Sequence, residues 1–159
     1  MIPDPKRRHR LQFLVRVISR ERAHLARTDA RLFAEPFTVQ RAQQLDENFD
    51  EAERVEAFVS RFGRLQDTLG DKLLPVYLEA LGEKAGAVID NLDRAERLDL
   101  IPSADDWFAI RKLRNQMVHE YIEDPAILAN ALQIGHEFVP TLLRVADTLM
   151  AALEERGWS

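Results

Sequence analysis

The sequence predicts an all-α protein, an antiparallel bundle of five or six helices. Three observations carry this expectation. Apolar residues recur at spacings of three and four along the chain, the period of an amphipathic helix, and no segment alternates as a half-buried strand does. The gaps between these stripes hold proline, glycine and N-capping residues. The length of 159 residues fits one domain spanning 1–159 and suffices for one core without covalent staples.

The first stripe is Leu11, Leu14, Val15, Ile18, Leu25 and Leu32, and Pro36 ends that helix. Thr38, or Pro36-Phe37, starts the next. Leu45, Phe49, Ala52, Val59, Phe62 and Leu69, with Val55 at the edge, predict one helix over residues 38–68, about 45 Å long at ~1.5 Å per residue. A helix of that length projects from a small bundle or contributes to a dimer. The acidic run from Asp46 to Glu56 on it reads as a solvated face or as a docking surface for a basic partner. Gly70, Pro75, Gly82 and Gly86 predict a broken, turn-rich stretch around a short apolar run, Leu73 to Leu81. Val88, Ile89, Leu92 and Ala95 mark a further helix. Ser103 is a good N-cap, with Asp106 three residues on in the capping-box position. Asp124-Pro125 starts the last helix, Pro140 is expected to kink it, and Gly157 stands where a C-cap would.

The chain holds no cysteine, which excludes a disulfide framework, thiol catalysis and cysteine-ligated metal. No apolar stretch approaches the ~20 residues needed to span a bilayer. Arg16 and Arg20 interrupt the only candidate signal-peptide core, so a cytoplasmic protein without a membrane partner is expected. The net charge of −5 is unevenly distributed. Residues 6–31 carry nine Lys/Arg against two acids, a balance of +7, while residues 32–159 carry a balance of −11. Such a split points to a polyanion partner. The rival reading is a solvated face paired with acids inside the fold.

The segment Ser103 to Tyr121 breaks its own pattern. At ~100° per residue Trp107, Ile110, Leu113, Met117, Val118 and Tyr121 share one apolar face, and Arg114 falls in the middle of it. A half-buried guanidinium is costly unless it is paired, so Arg114 either snorkels, pairs with an acid, or serves a site. Asn115 and His119 lie together on a flank, four residues apart. His119 can equally be a plain helix-terminal cation.

The eight residues Arg114-Asn115-Gln116-Met117-Val118-His119-Glu120-Tyr121 resemble the motif of HEPN-domain proteins, specifically the HepT toxin branch: Arg, a polar residue, three residues, His, one residue, Tyr. The surroundings are also similar, from Leu100-Ile101-Pro102-Ser103 through Trp107 to Ile110-Arg111-Lys112-Leu113, so the likeness covers about residues 98–125. The resemblance implies a helical homodimer and a metal-independent ribonuclease without cofactor. It implies Arg114 and His119 as the catalytic pair at a dimer-interface cleft, with Asn115 in support. It also implies a toxin of a type II or AMPylation-controlled toxin–antitoxin pair. The antitoxin would be a small nucleotidyltransferase, MNT, that adds AMP to the motif tyrosine, here Tyr121. Some relatives imply an alternative, a non-catalytic partner that binds a nucleotidyltransferase or nucleotide.

The residue chemistry suits RNA cleavage. RNA carries its own nucleophile, the 2′-hydroxyl. An imidazole of ordinary pKa ~6.5 exchanges protons near neutrality, and a guanidinium clamps phosphate with a fork of donors. Tyr121, with an ordinary pKa of ~10, is a poor base and is better read as a phosphate-contacting hydroxyl. On a straight helix Arg114 and His119 stand roughly 140° apart. Either the helix unwinds near His119, or residues of two chains complete the site. His9, His24 and His136 have no partner at metal-ligand spacing, no glycine-rich phosphate loop or nucleophile elbow occurs, and Tyr77 and Trp158 read as core and terminus.

Overall fold

Asp4 opens the first helix. Its carboxylate accepts from the Arg7 backbone N–H at 2.9 Å, and Pro5 takes the first helical position. The computed structural model describes residues 2–120 and 123–159. Helix α1 spans Pro5–Leu32, α2 Val39–Gln43, α3 Phe49–Asp67, α4 Leu74–Ala80, α5 Val88–Arg97, α6 Ala104–Glu120 and α7 Pro125–Glu155. A π-helical turn, Thr68–Leu73, joins α3 to α4 without a break, so the described residues form six continuous helical segments and no strand. The all-α bundle predicted from periodicity is what the chain forms.

Cross-helix contacts set the topology. Thr28 meets Arg61 and Glu21 meets Thr68, so α1 and α3 run antiparallel. Arg22 meets Asp147 and Asp29 meets His136, so α1 and α7 are antiparallel as well. Helix α6 packs on both α3 and α7. Leu14, Ile18, Phe58, Phe62, Trp107, Met117 and Leu142 belong to one buried cluster that runs through all of them. Among the described residues no helix is long and apolar enough to cross a membrane.

Two expectations are corrected here. The helix predicted over 38–68 is two helices. Thr38 caps α2, and the chain turns at 44–48 before Asn48 caps α3 by accepting from the Glu51 N–H at 3.2 Å. Arg41 holds this corner, donating to the Leu32, Glu35 and Pro36 carbonyls and to the Glu51 carboxylate. The break resets the helical phase. Phe49 is 74% exposed, and the face of α3 that packs inward is Val55, Phe58, Phe62 and Leu65. Apart from Glu51, the acids Asp46 to Glu56 face solvent.

The stretch from Gly70 to Gly86 is not broken throughout. Helix passes through Gly70 and Pro75 and stops only at Ala80, where Gly82 adopts φ 83° and the Glu83 N–H reaches the Leu78 carbonyl at 2.9 Å. The terminal caps follow the same logic. Gly157 takes φ 69°, the Trp158 N–H bonds the Leu153 carbonyl at 2.9 Å, and the Trp158 ring packs edge-on to buried Tyr77. Helix α7 runs on through Pro140, which lies on its exposed side.

Candidate functional site

The N-terminus of α6 is capped twice. Ser103 Oγ accepts from the Asp106 N–H at 3.1 Å, and the Glu96 carboxylate of α5 accepts from the Ala104 N–H at 2.7 Å. From this anchored start, α6 lies antiparallel to α3 and the π turn. The approach is close because glycine lines the facing ridge. A Cβ on Gly70 would stand 2.7 Å from the Trp107 indole nitrogen, and one on Gly63 would stand 3.0 Å from Arg114 Nε. Gly63 and Gly70 are seven residues apart, as are Trp107 and Arg114. Two holes on one rod receive two side chains from the other. On the α7 side Gly135 accommodates Met117 in the same way, with a Cβ there 3.3 Å from its sulfur.

This packing decides where Arg114 goes. Its stem lies over Gly63, and its head is half-exposed, 37% for the side chain. Nη2 donates to Asp67 Oδ2 at 3.1 Å, and Nη1 makes a long contact of 3.4 Å to Asn115 Oδ1. One turn along, Arg111 stands 3.9 Å from Asp71. Pairing with an acid is therefore how the fold tolerates the cation that interrupts the apolar face of α6.

Arg114 also lines a groove of about 410 Å³ between α3 and α6. Glu56, Ser60, Arg64 and Asp67 supply its polar wall, while Val59, Met117 and Val118 supply its apolar one. Val118 is 52% exposed, so the apolar side of the groove is open to solvent. A guanidinium has five N–H donors, and Asp67 and Asn115 engage two. Among the described residues the remaining donors have no partner, and such donors suit an anion in the groove.

The other motif residues are not gathered there. Asn115 and His119 are both exposed, on the flank of α6, and neither lines the groove. Helix α6 continues through Glu120, so the unwinding near His119 that would bring it round to Arg114 does not occur. Tyr121 lies outside the described residues. Among the described residues no group of three His, Asp or Glu is placed to hold a metal ion.

The α3 wall was not legible as a site in the sequence. Asp67 sits in a stretch read as ordinary helix, and Gly70 as a break. The available signal was the matched seven-residue spacing of Gly63 and Gly70 on one helix and Trp107 and Arg114 on the other. No protein-family profile, curated protein or solved structure matches this chain.

Proposed function

We propose that this protein is a metal-independent endoribonuclease toxin that works as a homodimer and is neutralised by a nucleotidyltransferase antitoxin. The observation that supports this reading is Arg114. It is a half-exposed guanidinium whose other donors have no partner among the described residues, seated in a groove, within an eight-residue run that resembles the HepT motif. In the proposed reaction Arg114 holds the scissile phosphate and offsets the charge that builds on it. The 2′-hydroxyl attacks phosphorus, a base takes its proton, and the departing 5′-oxygen is protonated as the cyclic phosphate forms. His119 is assigned the proton transfers. Since Arg114 and His119 of one chain face different ways, the reading requires a second copy whose His119 completes the groove around a two-fold axis.

Purified protein with labelled RNA tests this directly. Cleavage should survive EDTA, fall ~100- to 10,000-fold in His119→Ala and fall ~100- to 1000-fold in Arg114→Ala. Abolition by EDTA, or undiminished activity in both variants, counts against the mechanism. Co-expression with a genetically adjacent nucleotidyltransferase should add mass in AMP units on Tyr121. An unchanged intact mass beside an active transferase counts against that part.

A second reading is favoured by the Asp67 ion pair. Arg114 is already partnered within the chain, as it would be in a non-catalytic protein that binds a nucleotidyltransferase or nucleotide. Absence of RNA cleavage by a dimer of intact fold, with no effect of expression on growth, selects that reading.

A further inference from the structure

Helix α1 sorts its cations into two sets. Arg7 pairs with Asp4 and Glu79, Arg22 with Asp147 through two bonds of 2.6 and 2.7 Å, and Arg8 donates to the Gly157 carbonyl. These three bind the helix to the rest of the bundle. Lys6, Arg10, Arg16, Arg20, Arg27 and Arg31 are all exposed, and none is in an ion pair or hydrogen bond within the described residues.

These six cations form one stripe. At ~100° per residue they fall within an arc of about 120°, opposite the buried Leu14, Ile18 and Leu25. From Lys6 to Arg31 the stripe is about 38 Å long at ~1.5 Å per residue. The only acids of α1 are Glu21 and Asp29, and both point inward, to Thr68 and His136. Acids flank both ends: Lys6 and Arg10 line a depression that also holds Asp4 and Glu79, and Arg31 lines one that also holds Asp50 and Glu53, so the uninterrupted cationic part is the span from Arg16 to Arg27, with Arg10 joining it through the Phe13 ring.

On the same arc stands Phe13, an aromatic ring left 45% exposed. The Arg10 and Arg16 guanidinium carbons lie 5.7 and 6.0 Å from its ring centroid. An acidic protein surface would engage the cations through its carboxylates and leave the ring without a stacking partner. Ring and cations together are suited to a strand whose phosphates meet the cations while a base stacks on the ring.

We propose that this face of α1 is a docking surface for single-stranded nucleic acid, read through its backbone and without sequence preference. The surface is independent of the α3–α6 groove, and it stands or falls whether or not that groove cleaves RNA.

The test uses the full chain and a fluorescently labelled 20-nucleotide oligo-deoxythymidine, which lacks the 2′-hydroxyl and is inert to the cleavage proposed above. Anisotropy should report binding that weakens with salt, with log K falling by about 3 to 4 per decade, since each neutralised phosphate of a single strand contributes ~0.7. The variant Arg16→Ser/Arg20→Ser/Arg27→Ser should lose at least tenfold in affinity and reduce the slope by about 2. Phe13→Ala should weaken binding about tenfold with the slope retained. Arg22→Ser, which removes an ion-paired cation from the same helix, should bind as wild type does. Circular dichroism verifies that each variant is folded. Absence of binding at low salt overturns the proposal. So does a triple variant that binds like wild type, or polyglutamate that competes as well as the oligonucleotide at equal charge.

Discussion

Gly63 and Arg114 touch across the α3–α6 contact so closely that a Cβ on the glycine would lie 3.0 Å from Nε and 3.2 Å from Cγ of the arginine. The position of the guanidinium is thus set by a residue without a side chain. Gly63→Ala gains up to ~1 kcal/mol of helix propensity and loses a similar amount to the displaced stem, so stability should change by less than ~1 kcal/mol. Anion binding in the groove should weaken all the same, because the head moves. Urea denaturation and phosphate titration of the variant separate the two effects.

Gly70→Ala is the contrasting case. Its Cβ would meet the Trp107 indole at 2.7 Å, and Trp107 is only 2% exposed. A rigid buried ring cannot yield as an arginine stem does. We expect a loss of ~2–3 kcal/mol, seen as a lower urea midpoint at unchanged slope.

Asp67→Asn removes the charge that Arg114 now faces. The pair is about one-third exposed on each side, so the stability cost should stay below ~1 kcal/mol. An anion in the groove no longer competes with a carboxylate for the guanidinium. Its affinity should rise severalfold, and under the proposed function KM for RNA should fall. A weaker KM would show instead that Asp67 orients Arg114 for binding.

Glu21 links stability to pH. Burial raises its pKa above the ordinary value of 4.5, outweighing the hydrogen bond from Thr68 and the pull of Lys72 and Arg64. One of its carboxylate oxygens, Oε2, is buried without a hydrogen-bond partner among the described residues. A carboxyl with a raised folded pKa favours the fold in its protonated form, so its contribution is lost as pH climbs from about 4.5 through the raised value. Glu21→Gln lacks this loss. The variant's stability relative to wild type should therefore increase from pH 4 to pH 7, as measured by urea midpoints across that range.

Asp99 closes α5 with φ 57° in the left-handed region, and the next N–H, from Leu100, reaches the Ala95 carbonyl at 2.9 Å. Glycine adopts this conformation without the penalty a Cβ brings. Asp99→Gly should stabilise the protein by ~0.5–1 kcal/mol in thermal or urea unfolding.

The resemblance at Arg114 to Tyr121 names the candidate residues, but sequence alone misplaces them relative to one another. Helical arithmetic already separates Arg114 from His119, and the intact α6 keeps them apart. Asp67 was invisible in the sequence because its role is made by contact with a helix 47 residues further along. Local signals fared as their range allows. Ser103, Asp124 and Gly157 cap helices as their side chains or lack of one dictate, through bonds spanning five residues or fewer. Gly70 failed as a breaker because its packing against Trp107 outweighs its poor propensity, and Pro75 because it stands in the first turn of α4, where a missing N–H is tolerated.

The sequence by itself determined the all-α character, the helix starts at Thr38, Ser103 and Asp124, the stop at Gly157 and the charge asymmetry, since periodicity, capping and charge are written into neighbouring residues. The tertiary structure decided which cations remain free. Periodicity marks a side chain as exposed, but only the folded bundle sets Asp147 beside Arg22 and Asp67 beside Arg114 while leaving Arg20 without an ion pair among the described residues. Those distances depend on how antiparallel helices register against one another, and that register is fixed by packing between residues far apart in the chain.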